Sequence, residues 1–197
     1  MMYMITKFQF LEFQAYLDAM NLLNCTQMSY SKNTLEKIIV LFGDGDKGKT
    51  QSLMELGSRL SIPLSGVSTK NIRVILHPII KGKTITVFLS TYGDTVKDVM
   101  NNILFFNKQV PSGCQVYEVV NGKLNQKYSI QVDPDYCIGA SRVEEMHWNL
   151  YERFAEKIVP ISTNPIMVRK VGTIPKPAKG TLTPDDNNTI DTLIKEL

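Results

Sequence analysis

Residues 43–50 read Gly-Asp-Gly-Asp-Lys-Gly-Lys-Thr, and this glycine-rich run constrains the fold more than any other part of the chain. The apolar segment 37–42 comes directly before it and has the length and composition of a buried strand. Residues 51–56 follow it with helix-forming side chains, and no helix breaker intervenes before Gly57. The sequence therefore predicts a strand, a tight glycine loop and a helix in immediate succession.

The run matches the pattern G-x-x-x-x-G-K-[ST], whose residue types suit the binding of a polyphosphate. Glycines let backbone N–H groups converge on phosphate oxygens, and the positive end of the following helix dipole adds to the attraction. Lys49 would bring a positive charge to the β- and γ-phosphates, and Thr50 would supply a hydroxyl ligand to Mg²⁺. The other residues expected to line the phosphates are Gly43, Asp44, Gly45, Asp46, Lys47, Gly48 and Gln51.

On this motif the chain resembles the P-loop NTPase superfamily, and the resemblance is carried mainly by residues 37–60. It implies Mg²⁺-dependent binding of a nucleoside triphosphate. ATP is the expected nucleotide, and GTP stays open because no clear N-K-x-D run for reading the base is present. Asp44 and Asp46 place two carboxylates near the phosphates, which costs Coulomb energy unless they point outward or meet a cation.

A second group of candidate site residues follows the predicted strand that ends at Ser90. P-loop proteins carry a metal-side carboxylate in this region, and the resemblance assigns that role to Asp94, four residues beyond Ser90. The alternative is that Asp94 caps the helix predicted over 96–106, a role that suits both Asp and Thr95. Thr91 would order a water molecule or a substrate hydroxyl.

Arg142 is a third candidate, because it comes shortly after the apolar strand predicted at 136–140. Ligands of doubly wound α/β sheets bind beyond the carboxyl ends of the strands. Arg142 is therefore expected on the same rim as the glycine loop, where it would stack on the base or contact the phosphates. The alternative is a surface arginine paired with Glu144 or Glu145.

The order of predicted elements indicates a three-layer α/β domain of the P-loop NTPase type, with a mostly parallel sheet extended by antiparallel hairpins. The hairpin segments are 71–76 with 84–90, and 115–120 with 127–132. Residues 157–161 are predicted as the last strand, and 143–156 as the helix before it. The expected organisation is an N-terminal helical extension (1–30), a nucleotide-binding domain (31–165) and an irregular C-terminal tail with room for a short helix (166–197).

Composition narrows the class of protein further. The chain has 197 residues, 43% of them hydrophobic, which suits one substantial core. The net charge of +3 is dispersed and gives no clear sign of nucleic-acid binding. Three distant cysteines argue against a disulfide framework or a zinc site. No signal peptide or membrane span is recognised, so a cytoplasmic location without membrane attachment is expected, and a protein partner or homo-oligomer stays open.

Two classes of function remain at this stage. The first is an enzyme in which Lys49, Asp94 and Thr91 support hydrolysis of the nucleotide or phosphoryl transfer to a small acceptor, as in a plain NTPase or a small kinase. The second is a nucleotide-binding regulatory or interaction module with little turnover, which the absence of a carboxylate at Ser90 motivates. Turnover by the isolated protein discriminates between them.

Overall fold

The computed structural model describes residues 6–29, 35, 37–43, 48–64, 71–158, 166–170 and 184–197. Over these ranges the strands are β1 (Lys37–Phe42), β2 (Arg73–Leu76), β3 (Ile79–Ile80), β4 (Lys83–Thr84), β5 (Val87–Ser90), β6 (Val116–Val120), β7 (Lys123–Lys127), β8 (Tyr136–Ser141) and β9 (Ile166–Lys170). The helices are α1 (Lys7–Cys25), α2 (Lys49–Leu60), α3 (Val96–Phe106), α4 (Glu145–Ile158) and α5 (Pro184–Glu196). No helix within the described ranges has the length and apolar character needed to cross a membrane.

The main sheet has the strand order β7-β6-β2-β5-β8-β1-β9. The pairs β5·β8, β8·β1, β1·β9 and β2·β6 are parallel, whereas β2·β5 and β6·β7 are antiparallel. The expected α/β class and the mostly parallel sheet with antiparallel additions are therefore confirmed. Strand β1 is buried from its second residue onward, as its continuous apolar sequence predicts for a central parallel strand.

Helices cover both faces of the sheet and give the fold three layers. Alternate residues of β1 separate the two cores, because successive side chains of a strand point to opposite faces. Ile38 and Val40 join the cluster that includes residues of α1, α3 and α4. Ile39 and Leu41 join the cluster that includes residues of α2 and α5.

Helix α1 forms the expected N-terminal helical extension. It lies against α3 and α4, and its buried residues share a core cluster with Ile38 and Val40 of β1. Only Ala19 and Leu23 are fully buried along it. The Lys157 ammonium of α4 donates to the carbonyl oxygens of Leu23, Asn24 and Thr26, so α4 holds the carboxyl end of α1. The large apolar side chains of α1 that stay exposed are Phe8, Phe10, Leu11, Phe13, Leu17 and Leu22.

The second hairpin corrects one predicted boundary. Asn121 and Gly122 have φ angles of 53° and 70°, and β7 begins directly after them at Lys123. Two consecutive positive φ angles make the shortest kind of hairpin turn, so the second strand starts at once. The strand predicted at 127–132 is therefore wrong in position, because the ladder ends at Lys127.

The C-terminal third corrects two further predictions. Helix α4 continues to Ile158, so the predicted strand 157–161 is wrong at its first two residues, and its other residues lie outside the described ranges. The tail is not irregular where it is described, since β9 pairs in parallel with β1. Helix α5 begins at Pro184, a position that tolerates proline because the first helical N–H has no intrahelical acceptor. It buries Ile190 and Leu193 in the core beside α2, so the sheet and its cover include residues beyond 165.

Candidate functional site

The candidate site lies at the edge of the sheet where β1, β5 and β8 end. These strands are parallel and adjacent in the order β5-β8-β1, so the segments that follow them meet at one edge. Two backbone hydrogen bonds tie these segments together. The Gly43 N–H donates to the Ser141 carbonyl at 3.1 Å, and the Arg142 N–H donates to the Gly93 carbonyl at 3.1 Å.

The glycine loop is described at its two ends. Asp44, Gly45, Asp46 and Lys47 lie outside the described residues. At the first end, the bond from Gly43 to Ser141 continues the β1–β8 ladder by one residue. The expectation that the Gly43 amide points at a phosphate is therefore wrong for this structure, because the sheet already uses that N–H.

The second end of the loop starts helix α2. Gly48 has a φ of 84°, a left-handed conformation that glycine adopts without strain, and no side chain caps the helix there. The N–H groups of a first helical turn lack intrahelical acceptors and favour anions. Gln51, another predicted contact, lies in this first turn.

Lys49 is only 5% exposed, and its Nζ donates to the Gly43 carbonyl oxygen at 2.6 Å. The lysine therefore reaches back across the loop to the end of β1. This geometry fits the predicted position of a cation at the mouth of a phosphate site.

Thr50 faces two oxygens from other parts of the sheet. Its Oγ1 lies 3.3 Å from Asn71 Oδ1 and 3.2 Å from the Thr91 carbonyl oxygen. Sequence reasoning missed Asn71, which belongs to no motif. A usable signal was present, however, because an antiparallel partner of β5 must start near the edge where β5 ends.

Thr91 is 1% exposed, and its side chain serves the fold. Its Oγ1 accepts the Ile72 N–H at 2.8 Å, while its own N–H donates to the Ile72 carbonyl at 3.0 Å. Of this residue, the carbonyl oxygen rather than the hydroxyl is the group within hydrogen-bond distance of Thr50. The predicted role of the Thr91 hydroxyl in ordering a water stays a prediction.

Asp94 and Arg142 meet at the outer side of the rim. Arg142 Nε lies 3.4 Å from Asp94 Oδ1, and the two side chains are 40% and 54% exposed, respectively. The predicted rim position of Arg142 agrees with this placement. Its salt-bridge partner is Asp94, not Glu144 or Glu145 as the alternative had it.

The alternative of Asp94 as a helix cap is wrong. Thr95 is the N-cap of α3. Its Oγ1 accepts the Asp98 N–H, and the Thr95 N–H donates to the Asp98 carboxylate. The Val96 N–H donates to Glu12 of α1 at 3.0 Å, which further satisfies this helix end.

His147, in the first turn of α4, is a buried group that the sequence did not single out for this site. Its Nδ1 lies 3.2 Å from Ser141 Oγ, and that hydroxyl donates to the Arg142 carbonyl. The imidazole Nε2 has no hydrogen-bond partner in the described part of the chain, and the Glu144 carboxylate is 3.8 Å from it.

The pKa of His147 is lowered to about 4, chiefly by burial and then by the positive charges of Arg142 and Lys49, which the nearby Asp94 offsets in part. The imidazole is therefore neutral at pH 7. It lies beside Ser141, at the end of β8, as an uncharged group of the site.

The segment after β5 also contacts helix α3, on the face of the sheet that α1, α3 and α4 cover. The Asn102 amide of α3 donates to the Tyr92 carbonyl at 2.8 Å and approaches the Tyr151 hydroxyl at 3.3 Å. The buried Arg73 guanidinium stacks on the Tyr92 ring at 4.0 Å from its centroid, and burial lowers its pKa. These contacts hold Tyr92 against the helical layer that contains α3 and α4.

The described residues contain no group of three or more His, Cys, Asp or Glu side chains that could hold a metal. A cation at Thr50 would instead meet hydroxyl, amide and carbonyl oxygens. These are hard ligands of the type that Mg²⁺ prefers, so the residues present fit that ion.

No family model, curated protein or solved structure matches this chain.

Proposed function

We propose that this chain binds a nucleoside triphosphate, ATP being the expected one, together with Mg²⁺, and hydrolyses it or transfers its γ-phosphoryl group. The phosphates would lie over residues 43–50, as the resemblance to P-loop NTPases implies. One observation carries the proposal. At the start of α2, Lys49 reaches over the end of β1, and Thr50 lies within hydrogen-bond distance of oxygens of Asn71, just before β2, and Thr91, just after β5.

The chain's own residues would act mainly by charge and position. The Lys49 ammonium would exchange its bond to the Gly43 carbonyl for phosphate oxygens, where it offsets negative charge that builds up during transfer. Mg²⁺ would supply Lewis-acid stabilisation of the phosphate oxygens. In hydrolysis, a water oxygen bonds to the γ-phosphorus and the bond to the bridging oxygen breaks, leaving the diphosphate and inorganic phosphate.

Arg142 and His147 would shape the second side of the pocket. Arg142 is half-exposed on the rim and could leave Asp94 for a phosphate or for the base. The neutral His147 adds no charge to repel Mg²⁺ and holds Ser141 in place. Both residues lie at this rim because β8, which precedes them in the chain, is placed between β1 and β5.

A specific observation favours a second candidate function, a binding module with little turnover. Asp94, the predicted metal-side carboxylate, is exposed and forms a salt bridge with Arg142 on the outer side of the rim. A small kinase remains a variant of the enzymatic proposal, with an acceptor that no residue identifies. A cytoplasmic location and a partner or homo-oligomer remain predictions.

The phosphate-site assignment is tested with Lys49→Ala. We expect it to weaken Mg-ATP binding by at least about tenfold, because a charge-assisted contact contributes about 1.5–3 kcal/mol. Isothermal titration calorimetry gives the affinities. Lys123→Ala, which removes an exposed lysine from the edge strand β7, is the matched control and should bind as wild type does. Equal affinities for wild type and Lys49→Ala would exclude this site.

The choice between enzyme and binding module is tested with Asp94→Asn, which keeps the shape of the side chain and removes its charge. An Asp94 that acts on the metal or the nucleophile predicts loss of most Mg²⁺-dependent phosphate release with nucleotide affinity kept within a few-fold. Unchanged release in the variant removes Asp94 from the site. Mg-ATP binding by wild type without any release would establish the binding module as the better account.

A further inference from the structure

We propose that the carboxamide oxygen of Asn71 and the backbone carbonyl oxygen of Thr91 are, with the Thr50 hydroxyl, the protein's ligands for the divalent cation. This inference rests on the proposed function, since the cation in question accompanies the nucleotide. In this arrangement the carboxamide of Asn71, two residues before β2, takes the place of the carboxylate that the resemblance assigns to Asp94.

The distances among the three oxygens agree with an octahedral cation. Mg²⁺ binds its ligands at 2.0–2.1 Å, which places adjacent ligand oxygens about 3 Å apart. Thr50 Oγ1 lies 3.3 Å from Asn71 Oδ1 and 3.2 Å from the Thr91 carbonyl oxygen. Small shifts of side chains would bring both pairs onto edges of one octahedron.

The cluster also has more acceptors than hydrogens. The Thr50 hydroxyl has a single proton, which it can donate to only one of its two neighbouring oxygens at a time. The Thr91 hydroxyl is the other donor near Asn71 Oδ1, at 3.4 Å, and it lies at the same distance from the Ile72 carbonyl. A cation among these oxygens would bind the oxygen lone pairs that accept no hydrogen from the two hydroxyls.

The fold holds the oxygens in place before any ligand arrives. Arg73 opposes Ser90 in the β2–β5 ladder, so the residue before β2 and the residue after β5 meet at the rim. Two bonds between Ile72 and Thr91 fix this junction, one of them through the Thr91 hydroxyl. The position of Asn71 relative to the Thr91 carbonyl is therefore set by the sheet.

The charge of the ligand set predicts how the cation binds. All three oxygens are neutral, and the positively charged Lys49 is the chain neighbour of Thr50, so a divalent cation alone gains little here. Phosphate oxygens would supply the missing negative charge. The cation and the nucleotide are thus expected to bind as one unit.

The test measures Mn²⁺, a paramagnetic substitute for Mg²⁺, by electron paramagnetic resonance in the presence and absence of ATP. Wild type should show little bound Mn²⁺ alone and one tightly bound Mn²⁺ with ATP. Asn71→Leu should raise the Mn²⁺ concentration for half-saturation by about tenfold or more, as loss of a group that tunes a metal site does. Metal-free ATP should bind to this variant as to wild type.

Asn71→Asp is the sharper variant, because it keeps the shape and converts the neutral oxygen into a charged one. A ligand role predicts tighter Mn²⁺ binding with ATP and measurable Mn²⁺ binding without it. A folded Asn71→Asp protein whose Mn²⁺ affinity equals that of wild type, with and without ATP, overturns the inference. Asn125→Asp, the same exchange at an exposed position of the edge strand β7, is the matched control and should keep the Mn²⁺ affinity of wild type.

Failure of the inference and failure of the proposed function give different results. A wild type that binds no ATP with or without Mn²⁺ contradicts the proposed function. A wild type that binds Mn²⁺ with ATP, beside folded Asn71 variants of unchanged Mn²⁺ affinity, contradicts only the role of Asn71. Thermal melts establish that the variants are folded, and the isosteric Asn71→Asp keeps the test decisive if Asn71→Leu unfolds.

Discussion

Gly93 lets the segment after β5 lie directly against the backbone of β8. A Cβ at this position would stand 2.1 Å from the Ala140 carbonyl oxygen and 2.9 Å from the Ser141 nitrogen. Gly93→Ala should therefore lower the free energy of unfolding by about 1–3 kcal/mol, as overpacking against atoms that cannot move aside does. Chemical denaturation measures the change.

The neighbouring exposed residue provides the control for this glycine. Asp94→Ala should change stability by less than about 0.5 kcal/mol, since its salt bridge with Arg142 is exposed and such pairs contribute little. A Gly93→Ala protein as stable as Asp94→Ala would contradict the close approach of the two backbones.

His147 predicts a specific dependence of stability on pH. Its pKa is about 4 in the folded protein and about 6.5 in an unfolded chain, so the unfolded state binds the extra proton between these values. The stability that the neutral imidazole contributes is complete above pH 6.5 and is lost as the pH falls toward 4. Between pH 7.5 and 5 the loss should be about 2 kcal/mol.

A matched substitution isolates this contribution from the titration of carboxylates. His147→Gln keeps a polar side chain beside Ser141 but does not titrate, so its stability should fall less than that of wild type by about 2 kcal/mol over the same range. Denaturant unfolding at several pH values measures both curves. Parallel curves would mean that His147 is not buried in the neutral form.

At the scale of residues, the sequence predicted what a local pattern can carry. Lys49 and Thr50 were singled out because the role proposed for them depends on a contiguous motif at the start of a helix. Asn71 and His147 were not found, because their roles depend on contacts across the sheet edge that no local spacing reveals. Asp94 drew attention by its type, although its contact in the structure is with Arg142.

At the scale of elements, the start of α3 separates two candidate caps. Thr95→Ala should lower the free energy of unfolding by about 1 kcal/mol, because the Asp98 N–H loses its acceptor. Asp94→Ala, one residue earlier, removes no cap and should melt close to wild type. Thermal melts of the two variants decide, and the reverse order of stabilities would return the cap to Asp94.

Elements with strong periodicity or buried apolar runs were predicted well. The boundaries of β1 and α3 agree with the structure at both ends, because the first is a continuous apolar run and the second has a capping residue and an apolar stripe. Strand β9 was missed, because a five-residue segment shows little periodicity, whereas the short C-terminal helix that was expected is present as α5. Their pairing with β1 and packing on α2 stabilise them, and that context is absent from a local pattern.

At the scale of the whole molecule, the order of the strands in the sheet could not be predicted from the sequence. Strand β8 is inserted between β1 and β5, although 93 residues lie between the end of β1 at 42 and the start of β8 at 136. This insertion brings Ser141, Arg142 and His147 beside the glycine loop. It also makes β2 the outer neighbour of β5, which places Asn71 at the rim.

The central claim is that residues 43–50, with Asn71 and the Thr91 carbonyl, surround the phosphates and cation of a nucleotide. The most direct test is a crystal structure with Mg²⁺ and a non-hydrolysable ATP analogue at saturating concentration. The account predicts Lys49 Nζ at about 2.8 Å from a phosphate oxygen, and the cation in contact with Thr50 Oγ1. A nucleotide bound elsewhere on the chain, or crystals without bound nucleotide, would contradict the account.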